Sequence, residues 1–394
     1  MKTKFTILLL MGYVLWGGGV TRTAFANHRA GDHPLPEIMT GADYNHDGNF
    51  DLAVNLSGFD TFAVLKGDGR GGFTITRHVE EDTLPKQIVS ADVDGDGELD
   101  IVSVCQWGYN IKVYLGDGTG DFQFASELNG DGEPNRILLA DLNKDGNLDI
   151  VANAPLEGKL LIYFGLGGGR FANTALELED YPNLFSLETG DFNKDGSVDI
   201  AISYFNDVSS TGTHLQILLG DGAGNFTPGQ NIVINSQCNN ARAFDLNRDG
   251  NLDLILAGAG SENDTGVFVS TYLGDGNGNF TFKQVIDLGS GRIEGLLSLG
   301  DFNEDGNIDM ALPLSSTLTM LIFLGDGTGN LTQGQTVTVG VEAGSTWAAD
   351  FNKDGHLDLA CTNRTDGTLS IVLGNGDGTF TTYATIPLNV PPSP

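Results

Sequence analysis

Between residues 34 and 388, short runs rich in Val, Ile, Leu and Phe alternate with clusters of Gly, Asp and Asn. Apolar and β-branched runs bounded by turn-forming residues read as β-strands, and no helical periodicity interrupts them. In residues 86 to 128 the runs are KQIVSAD, LDIVSVC, IKVYLG and FQFASEL, four strands with turns between them.

The polar clusters repeat. A nine-residue element begins at residues 43, 92, 141, 191, 245, 301 and 350, with periods of 49, 49, 50, 54, 56 and 49 residues. The second copy, DVDGDGELD, crowds four Asp side chains together with no cation among them. A solvated turn would tolerate many residues here. Across the seven copies, however, positions 1, 5 and 9 are Asp, position 6 is Gly, and position 3 is Asn six times and Asp once. Oxygen donors at this spacing can converge on one hard cation, while Gly at position 6 permits the sharp turn.

The candidate ligands follow directly. Position 1 is Asp43, Asp92, Asp141, Asp191, Asp245, Asp301 and Asp350; position 3 is Asn45, Asp94, Asn143, Asn193, Asn247, Asn303 and Asn352. Position 5 is Asp47, Asp96, Asp145, Asp195, Asp249, Asp305 and Asp354, and position 9 is Asp51, Asp100, Asp149, Asp199, Asp253, Asp309 and Asp358. Backbone carbonyls at position 7 would come from Asn49, Glu98, Asn147, Ser197, Asn251, Asn307 and His356. Calcium suits such cages best, up to seven ions in all. An EF-hand would place a Glu at position 12 and continue into a helix, whereas here position 9 opens a strand such as DIVSVC.

A second repeated element follows each loop: KGDGRGGF, LGDGTGDF, FGLGGGRF, LGDGAGNF, LGDGNGNF, LGDGTGNL and LGNGDGTF. Its Asp is a weak candidate ligand, because the third copy has Leu166 and the seventh Asn375 in its place. Alternating Gly between a strand and an aromatic residue instead suggests a tight hairpin with positive φ angles. Seven units of about 50 residues, each with four strands, predict an all-β seven-bladed β-propeller of four-stranded antiparallel blades. An open β-solenoid is the rival, although its repeats are usually shorter. Whether residues 27 to 42 open blade one or complete blade seven is left open by the pattern.

The unit AD-N-DG--D(I/L)…LGDG-G-F resembles the FG-GAP or VCBS repeat, the unit of the integrin α-chain head propeller and of many secreted bacterial proteins. The resemblance spans residues 34 to 388. It implies calcium loops between the first and second strands of each blade, all on one face, with partner binding on the opposite face. It implies little about activity, since such propellers serve as adhesion heads, carbohydrate-binding modules and parts of enzymes.

Residues 1 to 26 combine Lys2 and Lys4, an apolar stretch from Phe5 to Trp16, and AFA before Asn27. This predicts a secretory signal peptide cleaved after Ala26, leaving residues 27 to 394 as one secreted or periplasmic domain. The apolar core is too short for a membrane span, so no membrane insertion is expected. Of the 52 acidic residues, 22 occupy loop positions 1, 3, 5 and 9, which explains much of the net charge of −32. That charge argues against nucleic acid or anionic membrane as a partner, and a monomeric disc is the expectation.

Three Cys, Cys105, Cys238 and Cys361, form no evident disulfide framework. Six scattered His offer neither an HExxH nor a three-His zinc pattern, and GxSxG is absent. The expectation is therefore a non-enzymatic recognition or adhesion module for a glycan or extracellular protein ligand. The alternative is an extracellular polysaccharide hydrolase or lyase with carboxylates in the propeller funnel. Candidate ligand-face residues are Trp107, Tyr109, Arg136, Tyr181, Phe205, Arg242, Arg292 and Trp347, chosen because aromatic and Arg side chains dominate binding hot spots. Some of these aromatics would equally fit between blades.

Overall fold

The computed structural model describes residues 34–81, 84–130, 132–172, 175–178, 181–205, 213–234, 237–259 and 266–389. Among them, 28 strands form seven four-stranded antiparallel sheets, each with its strands side by side in chain order. The seven blades of a propeller span residues 36–80, 85–129, 137–178, 184–234, 237–290, 298–338 and 343–387. Blade two is representative, with strands Pro85–Ala91, Asp100–Cys105, Asn110–Gly116 and Phe122–Asn129. Its second strand is buried at every position and its fourth mostly exposed, so burial falls from the inner strands outward.

The core is distributed. Seven apolar clusters lie in the seven interfaces between neighbouring blades. The loops contribute to them, because position 2 is always apolar and packs against the residue that ends the next blade's hairpin, an aromatic in every blade but the sixth, where it is Leu331. Tyr44 meets Phe122 edge-on at 5.4 Å, Phe192 meets Phe280 at 5.4 Å, and Phe351 meets Phe73 at 5.2 Å across the ring junction.

Polar side chains on the inner strands bond blade to blade around the axis. Thr40 Oγ1 meets Ser90 Oγ at 2.7 Å, Ile137 N donates to Gln87 Oε1 at 2.9 Å, and Asn153 Nδ2 donates to Leu184 O at 3.1 Å. Ala241 N donates to Ser186 Oγ, Asn240 Nδ2 to Gly295 O, Leu296 N to Ser345 Oγ, and Thr362 Oγ1 to Glu37 O. These bonds meet most of the polar atoms enclosed there, while Asn240 Oδ1 stays without one.

The phase of closure is now clear. Pro36–Ala42 is the inner strand of blade one, and blade seven is built wholly from Ala343–Pro387. Closure rests on packing of Met39, Leu52 and Leu65 against Phe351, Leu369 and Ile371, and among the described residues no strand is exchanged between the ends. Cys105, Cys238 and Cys361 are buried thiols in no disulfide. Burial pushes the Cys238 and Cys361 thiols up to about 12, which leaves them unreactive. The leader predicted at residues 1 to 26 lies outside the described residues.

Candidate metal loops and the opposite face

Each nine-residue loop joins the first and second strands of its blade, and the glycine hairpin joins the third and fourth, so both lie on the same face. The loop conformation comes from its own side chains. In blade two, Asp92 Oδ1 accepts from Gly95 N at 2.7 Å and Asp92 Oδ2 from Gly97 N at 3.0 Å. Asp94 and Asp96 each accept from the N–H two residues on. Positions 4 and 6 are left-handed in all seven loops; position 6 is always Gly, and position 4 is Gly only at Gly95.

Position 9 ties the loop to the hairpin. Asp100 is fully buried; its Oδ2 accepts from Val93 N at 2.8 Å and its Oδ1 from Gly116 N at 2.9 Å. The same pair of bonds recurs at Asp149, Asp199, Asp253, Asp309 and Asp358. Burial raises all seven position-9 carboxyls, those of Asp100, Asp309 and Asp358 to about 6. Backbone N–H donors oppose the rise, and the neighbouring loop carboxylates add to it.

Loop two differs from the rest. Asp92, Asp94 and Asp100 present carboxylate oxygens within 4.8 Å of one another. In loops three to seven the Asn at position 3 donates its amide N–H to the position-5 carboxylate. Hard oxygen donors, a buried carboxylate pushed towards neutrality and an excess of negative charge fit a divalent cation such as calcium. Positions 1, 3, 5 and 9 with the position-7 carbonyl could hold it.

The hairpin Asp, where present, has a structural job. Asp117 Oδ1 accepts from Thr119 N and Asp326 Oδ1 from Thr328 N and Asn330 N, closing the turn. The hairpin glycines have two roles rather than one. Gly118 and Gly120 take positive φ as the pattern predicts, but Gly116 does not. A Cβ at Gly116 would overlap the Leu99 carbonyl oxygen, and the equivalent glycines of the other six blades meet the same obstacle.

Contacts between loops are the feature that sequence reasoning missed. The position-4 side chain reaches the next loop round the ring: His46 pairs with Glu98, Lys144 Nζ donates to Ser197 Oγ at 3.1 Å, Arg248 Nη2 to Asp305 O at 3.1 Å, and Glu304 pairs with His356. Gly95 alone has no side chain for the task. The signal lies in position 4, which is charged or His in the other six copies despite its left-handed backbone.

The opposite face holds a central cavity of about 430 Å3, lined by the starts of inner strands and by inter-blade connections. Arg136 lines it, and Arg242 lies deeper on the axis, bonded to Glu188 at 3.3 Å. Arg292 is at the rim, paired with Glu294 at 3.2 Å. Trp107 and Tyr109 are 48% and 44% exposed in the turn after the second strand of blade two, the Tyr109 hydroxyl donating to Glu133. Phe205 ends the second strand of blade four, partly buried. Two expected rim residues sit elsewhere. Tyr181 packs edge-on against Tyr204 at 5.4 Å between blades three and four, and Trp347 packs in the junction of blades seven and one against Gly41. There each ring covers apolar surface between blades.

Comparison with known proteins agrees with this architecture. No curated protein matches the chain by sequence. Among solved structures, the chain is similar to a putative 6-phosphogluconolactonase from Bacteroides fragilis at 14% identity, covering 90% of this chain and 96% of that one with a TM-score of 0.63. It is also similar to a protein from Lactobacillus plantarum (11% identity, 89% and 96% covered, TM-score 0.62) and to BBS1N crystallised with ARL6DN (10%, 85% and 90%, TM-score 0.57). At these identities the likeness is one of fold. Residues 43–103, 92–152, 141–202, 245–312, 301–361 and 350–394 each match the FG-GAP-like repeat. The chain belongs to the FG-GAP-like repeat family.

Proposed function

We propose that this propeller is a secreted, calcium-stabilised, non-enzymatic recognition module that binds a glycan or extracellular protein ligand on the face opposite its metal loops. The observation that carries the reading is the asymmetry of the disc. One face consists of seven repeated loops whose oxygens and N–H groups serve one another. The other carries irregular connections, exposed Trp107 and Tyr109, and the central cavity.

Calcium would sit among the position 1, 3, 5 and 9 side chains, neutralising carboxylates that otherwise repel. Extracellular modules of this kind work at calcium levels found outside cells, which supports the secretory reading of residues 1 to 26. The ion's part is structural: it supplies positive charge at the end of each blade. An enzymatic reading finds less support in the cavity. Glu37 is engaged by Lys86 and Arg364, and Glu294 by Arg292 and Arg364, which ill suits a free acid and base pair.

A glycan array probed in calcium and in EDTA, run beside an assay for reducing ends released from polysaccharides, tests the proposal. Binding in calcium that weakens in EDTA, without released ends, is the expected result. Release of reducing ends would overturn it.

A further inference from the structure

The charges around the central cavity are three cations, Lys86, Arg136 and Arg364, and three carboxylates, Glu37, Glu294 and Glu342. Five of the six bond another side chain. Lys86 Nζ lies 3.3 Å and Arg364 Nε 3.2 Å from Glu37 Oε1, Arg364 Nη1 lies 4.0 Å from Glu294 Oε2, and Glu342 Oε2 accepts from Thr365 Oγ1 at 2.7 Å. Arg136 is the exception. Among the described residues no carboxylate lies within 4 Å of its guanidinium, whose one hydrogen bond is a 3.4 Å contact from Nη1 to Asn135 O.

A guanidinium in such a place is costly unless something pairs with it. In a chain with 52 acidic residues, a carboxylate partner would have been easy to supply. The nearest charges do not fill the role. Arg242, already bonded to Glu188, repels Arg136, and crowding by protein atoms pushes the Arg136 pKa down to about 10, with Glu37 opposing. The side chain nevertheless keeps an opening to the cavity and stays charged at neutral pH. Its backbone is held in place: Arg136 N donates to the buried Asn153 Oδ1 at 2.8 Å and Asn153 N returns a bond to Arg136 O at 3.1 Å.

We propose that Arg136 anchors an anion site in this cavity and that its ligand is the carboxylate of a uronic acid unit in an acidic glycan. The inference rests on the reading of this face as the recognition face and narrows its ligand. A guanidinium presents a planar fork of N–H donors that matches a carboxylate. One unpaired cation balances one negative charge, so a phosphate dianion is less well met. Glu37 and Glu294 are already in ion pairs and Glu342 accepts from Thr365 Oγ1, so the ammonium of an amino acid is less well met than a carboxylate. Asn135, Asn183 and Asn239 line the same space with carboxamides suited to sugar hydroxyls, and Phe185 adds an apolar surface. The volume of about 430 Å3 lies in the usual range for small ligands.

The test is calorimetric titration of the full mature chain in calcium with D-glucuronate, D-galacturonate, D-glucose and inorganic phosphate, repeated on Arg136→Gln. Wild type should bind at least one uronate at least tenfold more tightly than glucose or phosphate, and Arg136→Gln should lose that preference. Its melting temperature should be unchanged or raised, because an unpaired charge has been removed. Equal uronate affinity in wild type and Arg136→Gln, absence of uronate binding, or a preference for phosphate would each overturn the proposal. A neutral glycan bound equally by both proteins on the array would sink the anion site and leave the recognition face standing. No binding in either assay would sink both.

Discussion

Gly116 shows how one atom decides a residue. Its N–H bonds Asp100, and a Cβ would collide with the Leu99 carbonyl. Gly116→Ala should therefore cost about 1–3 kcal/mol, as overpacking does, read as a lower urea midpoint. Gly95→Asn should cost about 1 kcal/mol or less, since Asn tolerates the left-handed region and no atom lies within 4 Å of a Cβ there. Equal losses would contradict the close-approach account. Glu81 makes a different prediction. Burial pushes its carboxyl up to about 7, with hydrogen bonds such as that from Cys105 Sγ only partly offsetting it. A raised carboxyl favours the protonated native state, so its stabilisation is complete below the ordinary carboxylate range and is lost as pH rises through about 7. The loss is up to roughly 3 kcal/mol. Relative to Glu81→Gln, wild type should melt progressively lower from pH 5 to 8; parallel profiles would remove Glu81 as the cause.

The working element of this molecule is a loop joined to two hairpins. Its own hairpin meets it at position 9, and the next blade's hairpin covers it, as where Gly169 N donates to Val93 O and Gly278 N to Phe192 O. Outer strands are clamped by glutamines: Gln335 accepts from Phe380 N at 2.6 Å and donates to Phe380 O at 2.9 Å, and Gln284 does the same to Leu331. Gln335→Ala should cost about 1–3 kcal/mol by leaving that pair unmet, measured by urea unfolding, while Gln333→Ala on the exposed side of the same strand should be near neutral. The strands and loops are legible in the sequence because an alternation of apolar runs with Asp, Asn and Gly recurs seven times. The glutamine clamps and the position-4 contacts are not, because they join residues about 50 positions apart and appear only once the blades are set in a ring. The same limit explains the ligand face: Arg136 and Arg242 look alike in sequence, and only the nearby Glu188 separates the paired cation from the unpaired one.

As a whole, the disc is a ring of seven interfaces in which no blade stands alone, and its ends meet through packing at Phe351, Leu369 and Met39. All seven loops lie on one face, so their carboxylates, in a chain of net charge −32, repel within each loop and around the rim. Cations there would stabilise every blade at once, since what binds only the native state raises its stability by mass action. The direct test is the melting temperature of the protein in EDTA, in calcium and in magnesium. A large fall in EDTA, reversed by calcium and much less by magnesium, which demands octahedral geometry and holds its waters, is the result expected. A melting curve unchanged by EDTA would show that the seven loops are turns without metal.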